Sequence, residues 1–453
     1  MTRRGRWRWG LVLLVLCLVS GLTALLRTGA HEGAPRKLVV PVAATTLGTA
    51  LTDAKPAASI ASASAASSPA PPPTVEVAVP TGANVADTKT DTIDICGLGQ
   101  VTLAMLEKLA PAWAVPGSER EGRKRLVAAL LAGSEREQVV GGLLAGMSAV
   151  RAAQEMEGAS CSDSNALCEA ERFARHRSAA QPMRDLTVKL ALDSRDPWVF
   201  AVTTREMCNG LLAPTDLATS SCALLTPELW RTRALDDAVP SLWLAELASN
   251  RQDAAAVLAA LQQAARATRL TSPAGASQGP LLAHPAFKAL NPMHQQELWV
   301  ELIGVSMSNG TPGLSIVSRH CQANLPTSHA QRETCDALTR LLLSPGGDLM
   351  AQAIGTAIAK RLGWPQAQLD ALEERKLALQ EQAVRTVPPE QLLSCAGIAM
   401  AQKHFADVAA LGEVGALELR IKESGRSIAE LAAQARASRA AAASAARAAS
   451  EPR

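Results

Sequence analysis

Strand-building aromatics are almost missing from this chain, which holds no tyrosine and only four phenylalanines in 453 positions. Sheets cover their pleated faces with aromatic and β-branched side chains, and little of this sequence alternates apolar with polar residues. One short extended piece fits, at Thr92–Leu103. Helical spacing dominates from Ile93 onward. Asp253 opens DAAAVLAALQQAARATRL, in which Val257, Leu258, Leu261, Ala264 and Ala265 share one face. Gln262, Gln263, Arg266 and Arg269 cover the other. Asp348 opens a second helix with Met350, Ile354, Ile358 and Leu362 as its apolar stripe. Lys360 and Arg361 fall in its last turn, Gly363 suits a left-handed cap and Pro365 blocks continuation. Pro389 suits a first helical position ahead of Leu392, Leu393 and Ile398. Ser427-Ile428-Ala429-Glu430 is a capping box for a final helix. The expected class is all-α: antiparallel helical hairpins in a solenoid-like or two-lobed stack, clipped by disulfides, behind an N-terminal membrane helix.

That membrane helix is read from Gly10–Leu26, seventeen consecutive residues without a charge. Arg3, Arg4, Arg6 and Arg8 precede it and favour a cytoplasmic N-terminus, while Trp7 and Trp9 stand where indoles settle among lipid headgroups. The run is longer than the apolar core of about 7–15 residues in a cleaved signal, so retention is favoured over cleavage after Thr28-Gly29-Ala30. Four segments follow from this reading. Residues 1–30 form a signal-anchor in a bacterial inner membrane, contacting it through residues 10–26. Residues 31–92, rich in alanine, proline and serine, form a disordered tether too poor in large apolar groups to offset chain entropy. Residues 93–435 form one or more exported, periplasmic helical domains, with a lobe boundary expected near 270–285. Residues 436–453 form a disordered Ala/Arg-rich tail.

Ser241–Ala267 resembles a single tetratricopeptide helical hairpin with Asp253 at its turn. Leu244 and Ala245 match the large–small pair of that family's first helix, and Leu261 and Ala264 match the packing positions of its second. Ser241, Ala248 and Val257 depart from the pattern, and no 34-residue period repeats elsewhere. The resemblance implies paired antiparallel helices and a groove for peptides or partner proteins.

Of nine cysteines, Cys17 lies in the apolar run and eight fall in the exported region, where oxidation is the rule. Cys161 and Cys168 are seven apart, whereas Cys208–Cys222 and Cys321–Cys335 share a separation of fourteen. Sequential clips over these pairs leave Cys96 and Cys395 to join the two ends of the folded region. A rival zinc site at His320, Cys321, His329 and Cys335 lacks the closely spaced cysteine pair that structural zinc sites use. No zincin or P-loop pattern occurs, and Ser148 and Ser315 lack the second glycine of a nucleophile elbow. Gly97-Leu98-Gly99 reads as a tight turn, Glu373-Glu374 and Glu119-Arg120-Glu121 as solvated faces, and the tryptophans as helix-packing residues. No catalytic, cofactor or metal residues are assigned. A net charge of +3 gives no reason to expect nucleic acid. The expected function is a non-catalytic interaction or scaffold protein engaging envelope proteins, the alternative being an envelope hydrolase of peptide or cell-wall polymer with a dispersed site.

Overall fold

The computed structural model describes residues 92–96, 99–102, 118–156, 166–210, 212–271, 275–307, 310–322, 328–387, 391 and 394–450. The expected anchor, the tether as far as residue 91, Trp113, Cys161 and Pro389 lie outside the described residues. All the described residues belong to one compact unit beginning at Asp91.

The extended piece near residue 92 is an antiparallel hairpin. Strands β1 (Thr92–Ile95) and β2 (Gly99–Thr102) pair in the register Thr92↔Thr102 and Ile95↔Gly99. Gly99 takes a left-handed φ of 73° where the chain turns back, a conformation that suits glycine. Everything else regular is helical. The first group is α1 (Ser118–Leu131), α2 (Glu135–Met156), α3 (Ala166–Ser178), α4 (Gln181–Asp193) and α5 (Pro197–Val202). α5 runs straight into a π-helical turn over Thr203–Met207, and a short 3-10 turn follows at Ser221–Leu224. Next come α6 (Pro227–Arg233), α7 (Val239–Asn250), α8 (Ala254–Ala264), α9 (Gln278–Ala283) and α10 (Pro285–Lys288). The last group is α11 (Pro292–Met307), α12 (Leu314–His320), α13 (His329–Leu342), α14 (Leu349–Leu362), α15 (Gln366–Arg385), α16 (Cys395–Glu423) and α17 (Ile428–Ser450).

The starts and stops follow local chemistry. Asp253 Oδ1 accepts the Ala256 N–H at 2.9 Å and opens α8, and Asp348 Oδ1 accepts the Ala351 N–H at 2.7 Å and opens α14. Gly363 ends α14 in the left-handed region with φ 70°. Ser427 and Glu430 satisfy each other reciprocally, Glu430 N–H donating to Ser427 Oγ and Ser427 N–H to Glu430 Oε2. α16 begins at Cys395 with Ser394 as its cap, six residues beyond the Pro389 start read from the sequence.

Helices adjacent in the chain pack on one another: α1 on α2, α7 on α8, α13 on α14, α14 on α15. The short α9 does the longer-range work, reaching back to α2 and forward to α11 and α16. Glu301 on α11 pairs with Arg123 of α1 and Arg151 of α2, each at 2.6 Å. A single buried apolar cluster runs from Leu126 to Ala401 and includes Leu270, Leu281 and Leu282. Side chains from the segment near 270–285, where a lobe boundary was expected, take part in this cluster. Two small satellites form where α15, α16 and α17 meet, one around Leu379, Leu417 and Leu431 and one around Leu377 and Ala432. α17 continues to Ser450, where a disordered tail was expected from residue 436. Its alanines sustain the helix although residues 436–444 are exposed. Among the described residues no helix is long and apolar enough to cross a membrane.

The hairpin of α7 and α8 buries Ala245, Leu261 and Ala264, while Leu244 is only half-buried and Leu258 is 38% exposed. α8 packs against α7 and α13, so its far side stays in solvent. Met350 is likewise exposed at the first turn of α14, above the buried Ile358 and Leu362. Leu261→Ala should then cost about 2–5 kcal/mol, the range for a buried leucine. Leu258→Ala on the same helix should stay within about 1 kcal/mol, as surface changes do. Urea unfolding of both variants checks the contrast, and equal losses would refute this facing of the helix.

Candidate functional site

Three cysteine pairs stand at bonding distance. Cys208–Cys222, with Cα atoms 5.5 Å apart, clips the end of the π-helical turn to the 3-10 turn. Cys321–Cys335, at 5.7 Å, clips the end of α12 to α13. Cys96–Cys395, at 4.4 Å, joins the hairpin to the first residue of α16. Cys168 is also disulfide-bonded, and Cys161 lies outside the described residues. The bond between Cys321 and Cys335 removes both thiolates from any zinc set with His320 and His329. His320 is partly buried, which lowers its pKa, whereas His329 is exposed and its Nδ1 stands 3.4 Å from Glu333. Ser148, weighed as a nucleophile, donates to the Leu144 carbonyl and accepts from Arg123, which fixes it between α1 and α2.

A surface groove of about 320 Å³ lies along α13 where α14 ends, walled by Trp364 and Pro365 on one side and His329, Arg332, Glu333 and Asp336 on the other. The stop signal of α14 builds it. Gly363 turns the chain, the Trp364 N–H closes the cap on the Ala359 carbonyl at 3.2 Å, and Pro365 directs the chain into α15. The indole N–H donates to Asp336 Oδ1 at 2.9 Å, and Arg332 Nη2 donates to the Leu362 carbonyl. The ring is thereby fixed in place, partly buried. Arg340 also pairs with Asp336, at 2.6 Å. Sequence reading placed Trp364 among the packing tryptophans, and its ring does pack against the main core while part of it borders the groove. The Gly363–Pro365 stop puts this aromatic on a turn rather than on a helix face.

A second polar constellation is interior. The π-helical turn buries five successive residues, Thr203 to Met207, so the surrounding fold covers all of its faces. Glu206, 2% exposed, accepts from the hydroxyl of Ser306 at 3.0 Å and also bonds Ser277, and the two serine hydroxyls lie 3.0 Å apart. Burial raises Glu206 to about 7 against the opposing pull of these hydroxyls and of Arg205. Burial also lowers Arg205 to about 10, and its guanidinium donates to the Gly310 carbonyl at 2.8 Å. A second carboxyl, Glu413, is raised to about 7 by burial and by Asp348, although it accepts the Leu349 N–H at 2.9 Å. His404 is pushed down to about 4, by burial first and then by Arg420. Neither the groove nor the smaller surface hollow lined by Ala153, Met156, Arg175 and His176 includes Glu206. Its carboxyl meets protein hydroxyls, which suits a structural acid. Nothing in the Thr203–Met207 sequence marks the π-helical turn. The only hint is an unbroken polar quartet between the apolar Val199–Val202 and Cys208.

Family models, curated proteins and solved structures were all compared with the chain, and none matches.

The acid Glu206 makes stability depend on pH in a definite direction. Its pKa moves from 4.5 in an ordinary setting to about 7 in the fold, so between those values the unfolded chain releases a proton that the native state keeps. The contribution of Glu206 to stability is therefore fully present below about pH 4.5 and is lost as pH rises through 7, by roughly 3 kcal/mol at the alkaline end. Glu413 adds a loss of the same sign. Glu206→Gln should flatten the fall in urea midpoint between about pH 5 and 8 by roughly half. Identical slopes for wild type and variant would show that Glu206 ionises normally.

Proposed function

We propose that this protein is a non-catalytic protein-interaction module, held by its N-terminal segment at the outer face of a bacterial inner membrane and presenting a stack of antiparallel helical hairpins to envelope proteins. The observation that carries this reading is the groove at Trp364. A partly buried indole bordering the groove, locked by Asp336 and flanked by an arginine and a proline, has the makeup of an interface anchor. Tryptophan and arginine supply most binding energy at such surfaces, because their rigid area is covered at little conformational cost. The disulfide clips support the same reading, since they suit an oxidising compartment. The charge-free run of Gly10–Leu26 and the proline-rich stretch after it supply the anchor and the reach. Glu206, though shifted toward neutrality, is only 2% exposed and bonded to protein hydroxyls, which suits a structural role better than the hydrolase alternative.

The test is site-specific photo-crosslinking on the full-length protein in membranes, with the photoreactive group at His329 on the rim of the groove. A discrete adduct with an envelope protein is expected. Trp364→Ala should weaken it roughly thirtyfold, the equivalent of a 2 kcal/mol hot spot. Placing the group at Met350, exposed on α14, serves as the control. Equal adduct yields from wild type and Trp364→Ala, with helicity unchanged, would refute the groove as the binding surface.

A further inference from the structure

The three bridges with both ends described differ at one end. Cys96, Cys208, Cys222 and Cys321 are each 3% exposed and Cys335 is 0%, whereas Cys395 alone is exposed at the surface. Cys395 is also the first residue of α16, whose Ser394 cap accepts the Gly397 N–H at 3.0 Å. Unpaired N–H groups and the helix dipole at such an end stabilise a thiolate, which favours the release of Cys395 from a mixed disulfide. Topology separates the bridges again. The two buried clips each span fourteen positions between neighbouring elements, while Cys96–Cys395 spans 299 and ties the β-hairpin to α16.

We propose that the Cys96–Cys395 bridge is a thiol–disulfide exchange site, opened by a dithiol reductant while the other two clips stay closed. One thiolate of the reductant attacks Cys395 Sγ, the bond to Cys96 breaks, and Cys96 leaves as a thiolate that takes a proton from solvent. The second thiol of the reductant, deprotonated, then attacks its own sulfur in the mixed disulfide. Cys395 departs as the thiolate favoured at the start of α16. The reductant ends as a disulfide and the protein gains two thiols. Opening removes the covalent tie between the hairpin and α16. This inference is independent of the groove at Trp364.

The experiment exposes the oxidised full-length protein to dithiothreitol under native conditions, quenches with acid, labels with N-ethylmaleimide and reads each cysteine by peptide mass spectrometry. Cys96 and Cys395 should label together, about tenfold or more faster than Cys208, Cys222, Cys321 and Cys335. Equal rates, or earlier labelling of either buried pair, would overturn the proposal. A Cys96→Ser variant, whose Cys395 is a free thiol, gives the second readout. Its alkylation rate should reach half-maximum below pH ~8, and a midpoint at or above the ordinary value of about 8.5 would equally overturn it.

Discussion

The carboxyl of Glu206 is held where three separate segments meet: the π-helical turn that carries it, Ser277 ahead of α9, and Ser306 near the end of α11. An acid buried there needs polar partners from the protein, and the serine hydroxyls supply them, although its Oε2 accepts no hydrogen bond. That requirement places α9, a helix of only six residues, at the crossing of the fold. From there α9 touches α2, α11 and α16, and Gln278 at its start accepts the indole N–H of Trp299 at 3.1 Å. Trp299 in turn packs edge-on against Phe405 of α16 at 5.2 Å. The hydrogen bonds of one buried carboxyl and apolar packing along α16 are thus parts of the same junction.

The parts of this fold that the sequence announces are those set by local chemistry. Asp253, Asp348, Ser427 and Gly363 sit where their side chains or backbone freedom satisfy helix ends, and each does so with partners three or four residues away. The two clips with a separation of fourteen are legible for a similar reason, since a short loop between helices brings both sulfurs near. What stays hidden depends on remote partners. Whether Leu258 or Leu244 is covered is decided by which helix lies beside α7 and α8, and periodicity alone says only that they share a stripe with Leu261. Glu206 is still less visible, because Ser277 and Ser306 lie 71 and 100 positions further along the chain. The groove stands between these cases. Its walls come from one local stop signal and one neighbouring helix, yet only the fold shows that α13 passes beneath Trp364.

Long-range constraint in this chain is unevenly divided. Two of the described bridges restrain local loops, and by loop-closure entropy a link of about fifteen residues contributes on the order of 3 kcal/mol. A link across some 299 positions restrains far more of the unfolded chain, though its measured benefit rises only slowly with length. The arrangement places the largest entropic constraint on the bridge that is most open to solvent, at the edge of the helical body, while the clips around the core are sealed. Stability of the core and attachment of the hairpin therefore rest on different bonds.

The break in α16 shows why a long helix here serves better bent than straight. Its 29 residues would run about 43 Å as a continuous rod. At Gly412 the backbone instead adopts φ 79°, ψ 167°, and the Pro345–Gly347 loop docks into the gap. Gly415 N–H donates to the Pro345 carbonyl at 3.0 Å, and Val414 N–H reaches that of Gly347 at 3.3 Å, so backbone donors freed by the kink find acceptors. A Cβ at position 412 would stand 2.7 Å from the Gly346 carbonyl oxygen, which together with the positive φ restricts the site to glycine. The two halves of the helix then serve different neighbours. Ala401, before the break, belongs to the core shared with α1 to α14, whereas Val414, Leu417 and Ile421 pack with α15 and α17. Glu413, next to the glycine, accepts the first N–H of α14 beside the Asp348 cap. A straight helix would carry one of these two faces away from its partners, so the loop before α14 and the glycine in α16 together join the C-terminal helices to the body.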